Sequence, residues 1–134
     1  MGMLIYNLDD DSDDREFFSY AVKAVHPEIP CVLFENGVEL LDFMEHHQPQ
    51  PDYIFIDINM PKMNGHECAQ EIKLNYPRGE TQIVMYSTSF SAEDVKRFHK
   101  DGFKYIRKQN SMTDLIKTIK KVITLPASHP AETH

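Results

Sequence analysis

The chain has 134 residues, of which 41% are hydrophobic and 26% are charged, and these values are typical of one soluble globular domain. Lys and Arg number 14 against 21 Asp and Glu, so the formal net charge is −7, which argues against direct binding of nucleic acid. No apolar run reaches the ~18 residues of a membrane span and no signal-peptide pattern is visible, so we expect a cytoplasmic protein that does not bind membranes.

A cluster of acids follows the first apolar run. Residues 3–8 predict a strand, and residues 9–14 contain five carboxylates. Asp9 and Asp10 lie directly at the predicted end of the strand, where neighbouring carboxylates repel each other unless protons or a cation relieve the charge. We therefore expect Asp9 and Asp10 to be functional.

The later acids of the cluster have a structural explanation. Asp13 is followed three residues later by Glu16, which matches a capping box, and acids in a first turn interact favourably with the helix dipole. Asp13 and Asp14 are therefore interpreted as caps of a first helix, which is predicted to end before His26-Pro27. Its apolar face consists of Phe17, Phe18, Ala21, Val22 and Val25.

Strands and helices alternate along the rest of the chain. Short apolar runs predict strands at residues 29–34, 53–56, 82–86 and 103–107. Apolar residues at helical spacing predict helices across residues 38–44, 68–74, 91–98 and 111–123. This alternation implies a parallel sheet with helices on both faces, so the carboxyl ends of all strands share one edge, which we call the rim.

The third strand leads directly to one carboxylate. Tyr53 to Ile56 are aromatic or β-branched without polar alternation, as expected of a strand that is buried on both faces. Asp57 then falls at the carboxyl end of the strand, where open α/β sheets form their ligand crevice. Met60-Pro61 and Gly65 mark the loop that follows. For Asp57 taken alone, an acid that only satisfies loop amides is an equally good interpretation.

Two further polar groups fall on the rim. Ser87-Thr88-Ser89 follows the fourth strand, and its hydroxyls either form turns and caps or donate to an anion. Lys108 follows the fifth strand, although a lysine in such a place is more often solvated than catalytic. An aspartate can accept a phosphoryl group when a metal ion, a lysine and hydroxyl donors balance the charge, and carboxylates suit Mg²⁺. The rim therefore has the components for phosphoryl transfer.

The cysteines and histidines match no known site. Cys31 and Cys68 lack a metal or disulfide spacing and are interpreted as buried free thiols. The adjacent His46 and His47 are predicted to be solvated at a helix end rather than to bind metal. A surface position is also predicted for the scattered His26, His66, His99, His129 and His134.

Across about residues 3–124 the chain resembles the receiver domain of two-component response regulators, of the single-domain chemotaxis-regulator type. The motifs that carry the resemblance are the pair Asp9-Asp10, the acceptor in Ile56-Asp57-Ile58-Asn59-Met60-Pro61-Lys62-Met63-Asn64-Gly65, and then Ser87 and Lys108. Each motif is weak alone, but the ordered set is highly specific. The resemblance implies a flavodoxin-like, doubly wound α/β fold with five parallel strands in the order 2-1-3-4-5 and five helices. Residues 125–134 are expected to form a disordered tail.

The resemblance also implies a role for each rim residue. Asp57 would accept a phosphoryl group from the histidine of a sensor kinase or phosphotransfer protein, and Ser87 and Lys108 would contact the phosphoryl oxygens. The implied ligands of Mg²⁺ are Asp10, Asp57 and the backbone carbonyl of Asn59, with Asp9 mainly in the outer shell. Tyr105 would be the aromatic that turns inward on activation. The protein would then be a signalling switch and not an enzyme, apart from its own phosphorylation and dephosphorylation.

One residue departs from the family pattern. Receiver domains usually have Pro after the lysine, joined by a cis peptide bond, whereas this chain has Gln109. A cis bond before a residue other than Pro costs ~2.5–4 kcal/mol against ~0.5–1 kcal/mol before Pro. The sequence therefore leaves both isomers open for the Lys108–Gln109 bond.

Three functions are weighed against these residues. The leading one is a stand-alone receiver whose fourth helix, fifth strand and fifth helix bind a downstream protein or a second phosphorylated copy through Phe90, Tyr105 and Met112. A Mg²⁺-dependent phosphohydrolase of the haloacid dehalogenase type needs a second Asp two residues after the nucleophile, where this chain has Asn59. A degenerate receiver that works without phosphorylation is disfavoured because the acceptor, the acidic pair, the hydroxyl and the lysine are all present.

Overall fold

The computed structural model describes residues 3–61, 63–76 and 81–123, and there five strands alternate with five helices. The strands are β1 (Ile5–Leu8), β2 (Cys31–Phe34), β3 (Tyr53–Asp57), β4 (Gln82–Ser87) and β5 (Lys104–Arg107). The helices are α1 (Ser12–Val25), α2 (Gly37–His46), α3 (Gly65–Asn75), α4 (Ala92–Asp101) and α5 (Met112–Ile123). None of these helices has the length and hydrophobicity needed to cross a bilayer. The predicted tail, residues 125–134, lies outside the described residues.

All five strands pair in parallel in the order β2-β1-β3-β4-β5, which confirms the flavodoxin-like, doubly wound fold that the resemblance implied. Burial follows this order. Every residue of β1 and β3 is buried, whereas the edge strands β2 and β5 are partly exposed. The uninterrupted apolar run that marked β3 in the sequence therefore lies where helices cover both faces of the sheet.

Two apolar cores lie on opposite faces of the sheet, and alternate residues of β3 enter each of them. Ile54 and Ile56 join the core under α2, α3 and α4, while Tyr53 and Phe55 join the core under α1 and α5. Successive side chains of a strand point to opposite faces, so a single strand serves both cores. Because β3 is held from both sides, its last residue, Asp57, has a fixed position.

The first helix begins earlier than the capping pattern predicted. Asp11 is the N-cap of α1, and its Oδ1 accepts the backbone N–H groups of Asp13 at 2.8 Å and Asp14 at 3.2 Å. The prediction that Asp13 and Asp14 are caps is therefore wrong, and both are acids of the first turn. The backbone N–H of Asp11 donates to Asp9 Oδ1 at 3.0 Å, which helps to hold Asp11 in the extended conformation that a cap requires.

Several boundaries and faces differ slightly from the prediction. β1 begins at Ile5 and β2 at Cys31, two residues later than the apolar runs suggested. Leu74 was assigned to the apolar face of α3 but is 75% exposed. It lies only two positions after the buried Ile72, and residues two apart do not share a helix face.

The two cysteines are free. Cys68 is buried, as predicted, while Cys31 is only partly buried because it begins the edge strand β2. Burial raises the pKa of each thiol to about 12, so both are protonated at neutral pH and unreactive.

Candidate functional site

The carboxyl ends of four strands bring five of the predicted residues together. Asp9 and Asp10 follow β1, Asp57 ends β3, Ser87 ends β4 and Lys108 follows β5. Parallel pairing places Asp57 beside Tyr86 of β4 and Ser87 beside Arg107 of β5. The rim therefore forms one continuous site although its residues are spread over most of the chain.

Three carboxylates form the acidic part of this site. One oxygen from each of Asp9, Asp10 and Asp57 lies within 4.8 Å of the others. Asp9 and Asp57 are buried, whereas Asp10 is exposed. Oxygen atoms from several carboxylates at this spacing are the donors that Mg²⁺ prefers, and an exposed carboxylate leaves room for the water molecules that Mg²⁺ keeps. The residues present therefore fit a divalent cation.

Lys108 neutralises part of this negative charge. Its Nζ lies 2.7 Å from Asp9 Oδ2, 2.8 Å from Asp14 Oδ2 and 3.4 Å from Asp57 Oδ2. Its backbone N–H donates to the carbonyl of Ser87 at 2.8 Å, which fixes the start of the loop after β5. Burial alone would lower the pKa of Lys108, but its contacts with Asp14 and Asp9 and the charge of Asp57 outweigh burial, so this pKa is raised. Lys108 is therefore a cation at any physiological pH.

The peptide bond between Lys108 and Gln109, for which the sequence left both isomers open, is trans. The side chain of Gln109 donates to the carbonyl of Arg107 at 3.2 Å. The Lys108 side chain nevertheless reaches Asp57 and the other acids, which shows that contact between this lysine and the acceptor does not depend on Pro at position 109.

Both oxygens of Asp57 have partners. Oδ1 accepts a hydrogen bond from the backbone N–H of Asn59 at 3.1 Å, and Oδ2 accepts one from Lys108 Nζ at 3.4 Å. Burial raises the pKa of Asp57, while the hydrogen bond from Asn59 and the charge of Lys108 oppose that shift. In these surroundings the ionised, nucleophilic form of Asp57 is stabilised by the contacts with Asn59 and Lys108 rather than by water.

Asp9 is more strongly perturbed. Burial raises its pKa to about 6, although Lys108 and the N–H of Asp11 favour the ionised form. Oδ1 accepts the Asp11 N–H, and Oδ2 forms an ion pair with Lys108, although the two groups are not aligned as a hydrogen bond. Because both oxygens already have neighbours, Asp9 is less free than Asp10 to bind a cation directly.

A hydrogen bond between the side chains of Asn59 and Ser87 was not predicted from the sequence. Asn59 Nδ2 donates to Ser87 Oγ at 3.1 Å, and Ser87 is almost completely buried. Asn59 was predicted only as a backbone ligand, because nothing in the local pattern relates its side chain to a residue on another strand. The contact holds the loop after β3 against the end of β4.

The loop after β3 returns very close to the strand. A Cβ on Gly65 would overlap the backbone carbonyl oxygen of Asp57 and would lie 2.6 Å from the Cα of Ile58. The backbone N–H of Gly65 donates to the carbonyl of Ile58 at 3.3 Å, and Asn64 with Glu67 forms a capping box for α3. Glycine at position 65 therefore allows α3 to start directly against the acceptor.

The aromatic predicted to act as a switch lies outside the rim, on β5. Tyr105 is partly buried and contacts Phe90 and Phe98, with ring centroids 5.4 Å and 5.5 Å away. Phe90 is also packed against the core, and Met112 packs against the core on the opposite face. The three residues assigned to a binding face thus serve the cores in part.

One histidine was placed wrongly. His66 was predicted to be solvated, but only 7% of its surface is exposed, since it stacks on Phe98 of α4 with ring centroids 5.1 Å apart. Its Nε2 lies 3.5 Å from Asp94, and burial lowers its pKa. His26, His46, His47 and His99 are exposed, as predicted, and His129 and His134 lie outside the described residues.

The arrangement has the chemical properties of a phosphoryl acceptor site. A buried carboxylate stands at the end of the central strand, with two more carboxylates within 4.8 Å. A hydroxyl ends the neighbouring strand β4, and a lysine ammonium follows β5 and lies 3.4 Å from the buried carboxylate. Such a set supplies a nucleophile, a place for a cation and donors for anionic oxygens.

This chain is similar in sequence to several known proteins. A family model described as response regulator receiver domain matches residues 5–120. Response regulator Rcp1 from Synechocystis sp. is 24% identical over 93% of this chain and 94% of its own length. Transcriptional regulatory protein DegU from Brevibacillus brevis is 33% identical over 91% of this chain, which spans only 52% of DegU.

Solved structures of similar fold include that of the phosphorylated cyanobacterial phytochrome response regulator RcpA, with a TM-score of 0.78 and 23% identity over 90% of both chains. The chemotaxis protein CheY4 of Vibrio cholerae has a TM-score of 0.78 and 22% identity over 92% of this chain and 100% of its own. The Mn²⁺-bound form of Rcp1 has a TM-score of 0.77 and 22% identity over 97% of this chain and 99% of its own. The strand order, the rim and the family match agree, and this chain belongs to the family of response regulator receiver domains.

Proposed function

We propose that this chain is a receiver that takes a phosphoryl group on Asp57 and changes its partner binding in response. Receiver domains are phospho-accepting switches that receive the group from histidine kinases or phosphotransfer proteins, and they are not enzymes in the usual sense. The observation that carries the assignment of Asp57 is its position: it ends the central strand with Asp9 and Asp10 on one side and Lys108 Nζ 3.4 Å from Oδ2.

The reaction uses the carboxylate as a nucleophile. A carboxylate oxygen of Asp57 forms a bond to phosphorus while the bond between phosphorus and the donor's histidine nitrogen breaks, and the leaving imidazole keeps the electron pair and takes up a proton. Lys108 donates to the transferring oxygens, and so does Ser87 once its hydroxyl turns from Asn59. Burial of Asp57 excludes water from one side of the acyl phosphate.

Mg²⁺ is the cation proposed for the acidic part of the site. Receiver domains bind Mg²⁺ at such a cluster, and a Mn²⁺-bound structure of the related Rcp1 is consistent with this. Asp10, Asp57 and the carbonyl of Asn59 would hold the ion, with Asp9 in its outer shell because Lys108 Nζ lies 2.7 Å from Asp9 Oδ2 but 3.4 Å from Asp57 Oδ2. The bound ion would offset the charge that builds on the transferring group.

The signal would leave the site through the loop after β4 and through Tyr105. Ser87 lies directly before the loop that carries Phe90, which contacts both Phe98 of α4 and Tyr105 of β5. When Ser87 moves to the phosphoryl oxygens, this loop is pulled toward the rim, and the aromatic contacts have to rearrange. The face formed by α4, β5 and α5 would then bind a downstream protein or a second copy of the chain.

A phosphohydrolase of the haloacid dehalogenase type is not supported by the geometry. Asn59 stands where that class has its acid and base, and its amide donates to Ser87. An amide cannot exchange a proton in that role.

The proposal is tested by incubating the chain with Mg²⁺ and phosphoramidate, a small donor with the same bond between phosphorus and nitrogen, and weighing the intact protein by mass spectrometry. We expect one phosphoryl group per chain, lost in acid, absent with a chelator and absent in Asp57→Asn. Lys108→Ala should still take up some phosphoryl group but should lose the accompanying change in amide hydrogen exchange of α4 and β5. An acid-stable adduct, or labelling that persists in Asp57→Asn, would contradict the proposal.

A further inference from the structure

The ammonium group of Lys108 is shared among three carboxylates, and one of them is outside the family's motif. A lysine has three N–H donors, and Asp9, Asp14 and Asp57 surround them at 2.7, 2.8 and 3.4 Å. Asp14 comes from the first turn of α1, and its Oδ2 accepts a hydrogen bond from Lys108 Nζ. Lys108 is thus held closer to Asp9 and Asp14 than to the acceptor.

A phosphoryl group on Asp57 changes the hydrogen bonds that Lys108 has to donate. To donate to a phosphoryl oxygen, the ammonium must move toward Asp57, which lengthens one of its two shorter contacts, those with Asp9 and Asp14. The Asp9 side chain is only 1% exposed and its Oδ1 is fixed by Asp11, whereas the Asp14 side chain is 43% exposed. Water can replace Lys108 at Asp14 at little cost, so the Asp14 contact is the one that gives way.

Asp14 also adds charge where an anion must arrive. Its carboxylate and that of Asp57 both contact the same ammonium, at 2.8 Å and 3.4 Å. An incoming phosphoryl donor is itself anionic, so the Asp14 carboxylate opposes its approach and at the same time competes for the Lys108 ammonium that would attract it.

We propose that Asp14 is a positioning residue that holds Lys108 away from Asp57 and thereby restrains phosphorylation until the phosphoryl group displaces it. The inference rests on the proposed function, since it concerns the rate of that reaction. Release of the contact would also detach the first turn of α1 from the loop after β5, which the hydrogen bond between Asp14 and Lys108 joins in the unphosphorylated chain.

The experiment compares the full chain with Asp14→Asn, Asp14→Glu and Asp13→Asn. Asp14→Asn keeps the size of the side chain and removes its charge, and Asp14→Glu restores the charge. Asp13 is the neighbouring exposed acid of the same turn, so Asp13→Asn removes an equal charge from the helix start without touching Lys108. The readout is the rate constant of Asp57 phosphorylation by acetyl phosphate with Mg²⁺, in which acetate leaves, followed by intact mass at low and high ionic strength.

We expect Asp14→Asn to be phosphorylated about three- to tenfold faster than wild type at low salt, as for the loss of one partly exposed charge. The rate constants of Asp13→Asn and Asp14→Glu should stay close to that of wild type. The ratio of the rate constants of Asp14→Asn and wild type should fall with added salt, because salt screens a charge effect but not a change in packing.

Three results would overturn the inference alone. The first is an unchanged or lower rate constant in Asp14→Asn with normal Asp57-dependent labelling of wild type. The second is an equal increase in Asp13→Asn, and the third is an increase in Asp14→Asn that does not respond to salt. Absence of Asp57-dependent labelling in wild type would instead overturn the proposed function, and this inference with it.

Discussion

At Asp9, burial opposes the charge that a cation site needs. The pKa of Asp9 is raised from 3.8 to about 6 in the folded chain. Between about pH 4 and pH 6 the folded chain therefore holds a proton that the unfolded chain has lost, and above that range the folded chain carries a buried ionised carboxylate. The stability linked to Asp9 is thus fully present below about pH 4 and is lost as the pH rises through 6.

Asp9→Asn should remove the loss of stability with rising pH, because the amide is neutral at every pH. In metal-free buffer we expect the variant to gain stability relative to wild type by about 1 to 3 kcal/mol between pH 4 and pH 7. Urea unfolding at pH 4, 5.5 and 7 with a chelator measures the difference. Asp13→Asn, which changes an exposed acid of α1, is the control and should show no such trend. A difference between Asp9→Asn and wild type that is constant or reversed across this range would contradict the account of Asp9.

At the scale of single elements, the start of α3 depends on one close approach. The atoms that a Cβ on Gly65 would meet belong to the backbone of Asp57 and Ile58, so no side chain can move aside. Gly102, the C-cap of α4, is glycine for a different reason: its φ is +78°, and a Cβ there would meet nothing within 4 Å.

Gly65→Ala should therefore cost more than Gly102→Ala. We expect about 2 to 4 kcal/mol of destabilisation for Gly65→Ala from backbone overlap, against about 1 kcal/mol for Gly102→Ala from the left-handed backbone. Urea unfolding of both variants at one pH gives the comparison. Equal costs would mean that the loop after β3 can shift away from Asp57, and the fixed position assigned to the acceptor would be wrong.

The face formed by α4, β5 and α5 makes a separate prediction. Tyr105 contacts Phe90, Phe98 and His99 in the unphosphorylated chain. If this cluster rearranges on phosphorylation, Tyr105→Ala should leave phosphorylation of Asp57 near its normal rate. It should weaken phosphorylation-dependent association, with itself or with a downstream protein, on the order of tenfold, as for loss of an aromatic anchor.

Tyr20 offers a matched control for that experiment. It is a tyrosine on α1 that is 68% exposed, and no role in the binding face is assigned to it. Association constants of the phosphorylated chain measured by sedimentation or calorimetry should fall in Tyr105→Ala and stay unchanged in Tyr20→Ala. Equal effects of the two substitutions would show that the face is located elsewhere.

At the scale of the whole molecule, the sequence predicted the alternation of elements because apolar periodicity is local. Asp9, Asp57, Ser87 and Lys108 could be assigned to one rim because parallel strands end on the same side of a sheet. The N-cap of α1 was misplaced because several neighbouring acids can each cap a helix, and the contact between Asp9 and Asp11 decides among them.

What the sequence did not predict are contacts between side chains that are distant in the chain. The hydrogen bonds from Lys108 to Asp14 and from Asn59 to Ser87, and the stacking of His66 on Phe98, follow from how the helices seat on the sheet. The hydrophobic periodicity of a single helix or strand carries no information about these contacts. Of these contacts, the hydrogen bond from Lys108 to Asp14 involves a residue outside the motif of the family, and it carries the further inference.

The central claim is that the phosphoryl group resides on Asp57 as an acyl phosphate. The most direct measurement is reduction of the phosphorylated chain with borohydride, which converts an acyl phosphate to the corresponding alcohol, followed by peptide mapping by mass spectrometry. The account predicts homoserine at position 57 alone, formed only when Mg²⁺ was present during phosphorylation and never in Asp57→Asn. Homoserine at another aspartate, or a phosphorylated chain that borohydride leaves unchanged at position 57, would contradict it.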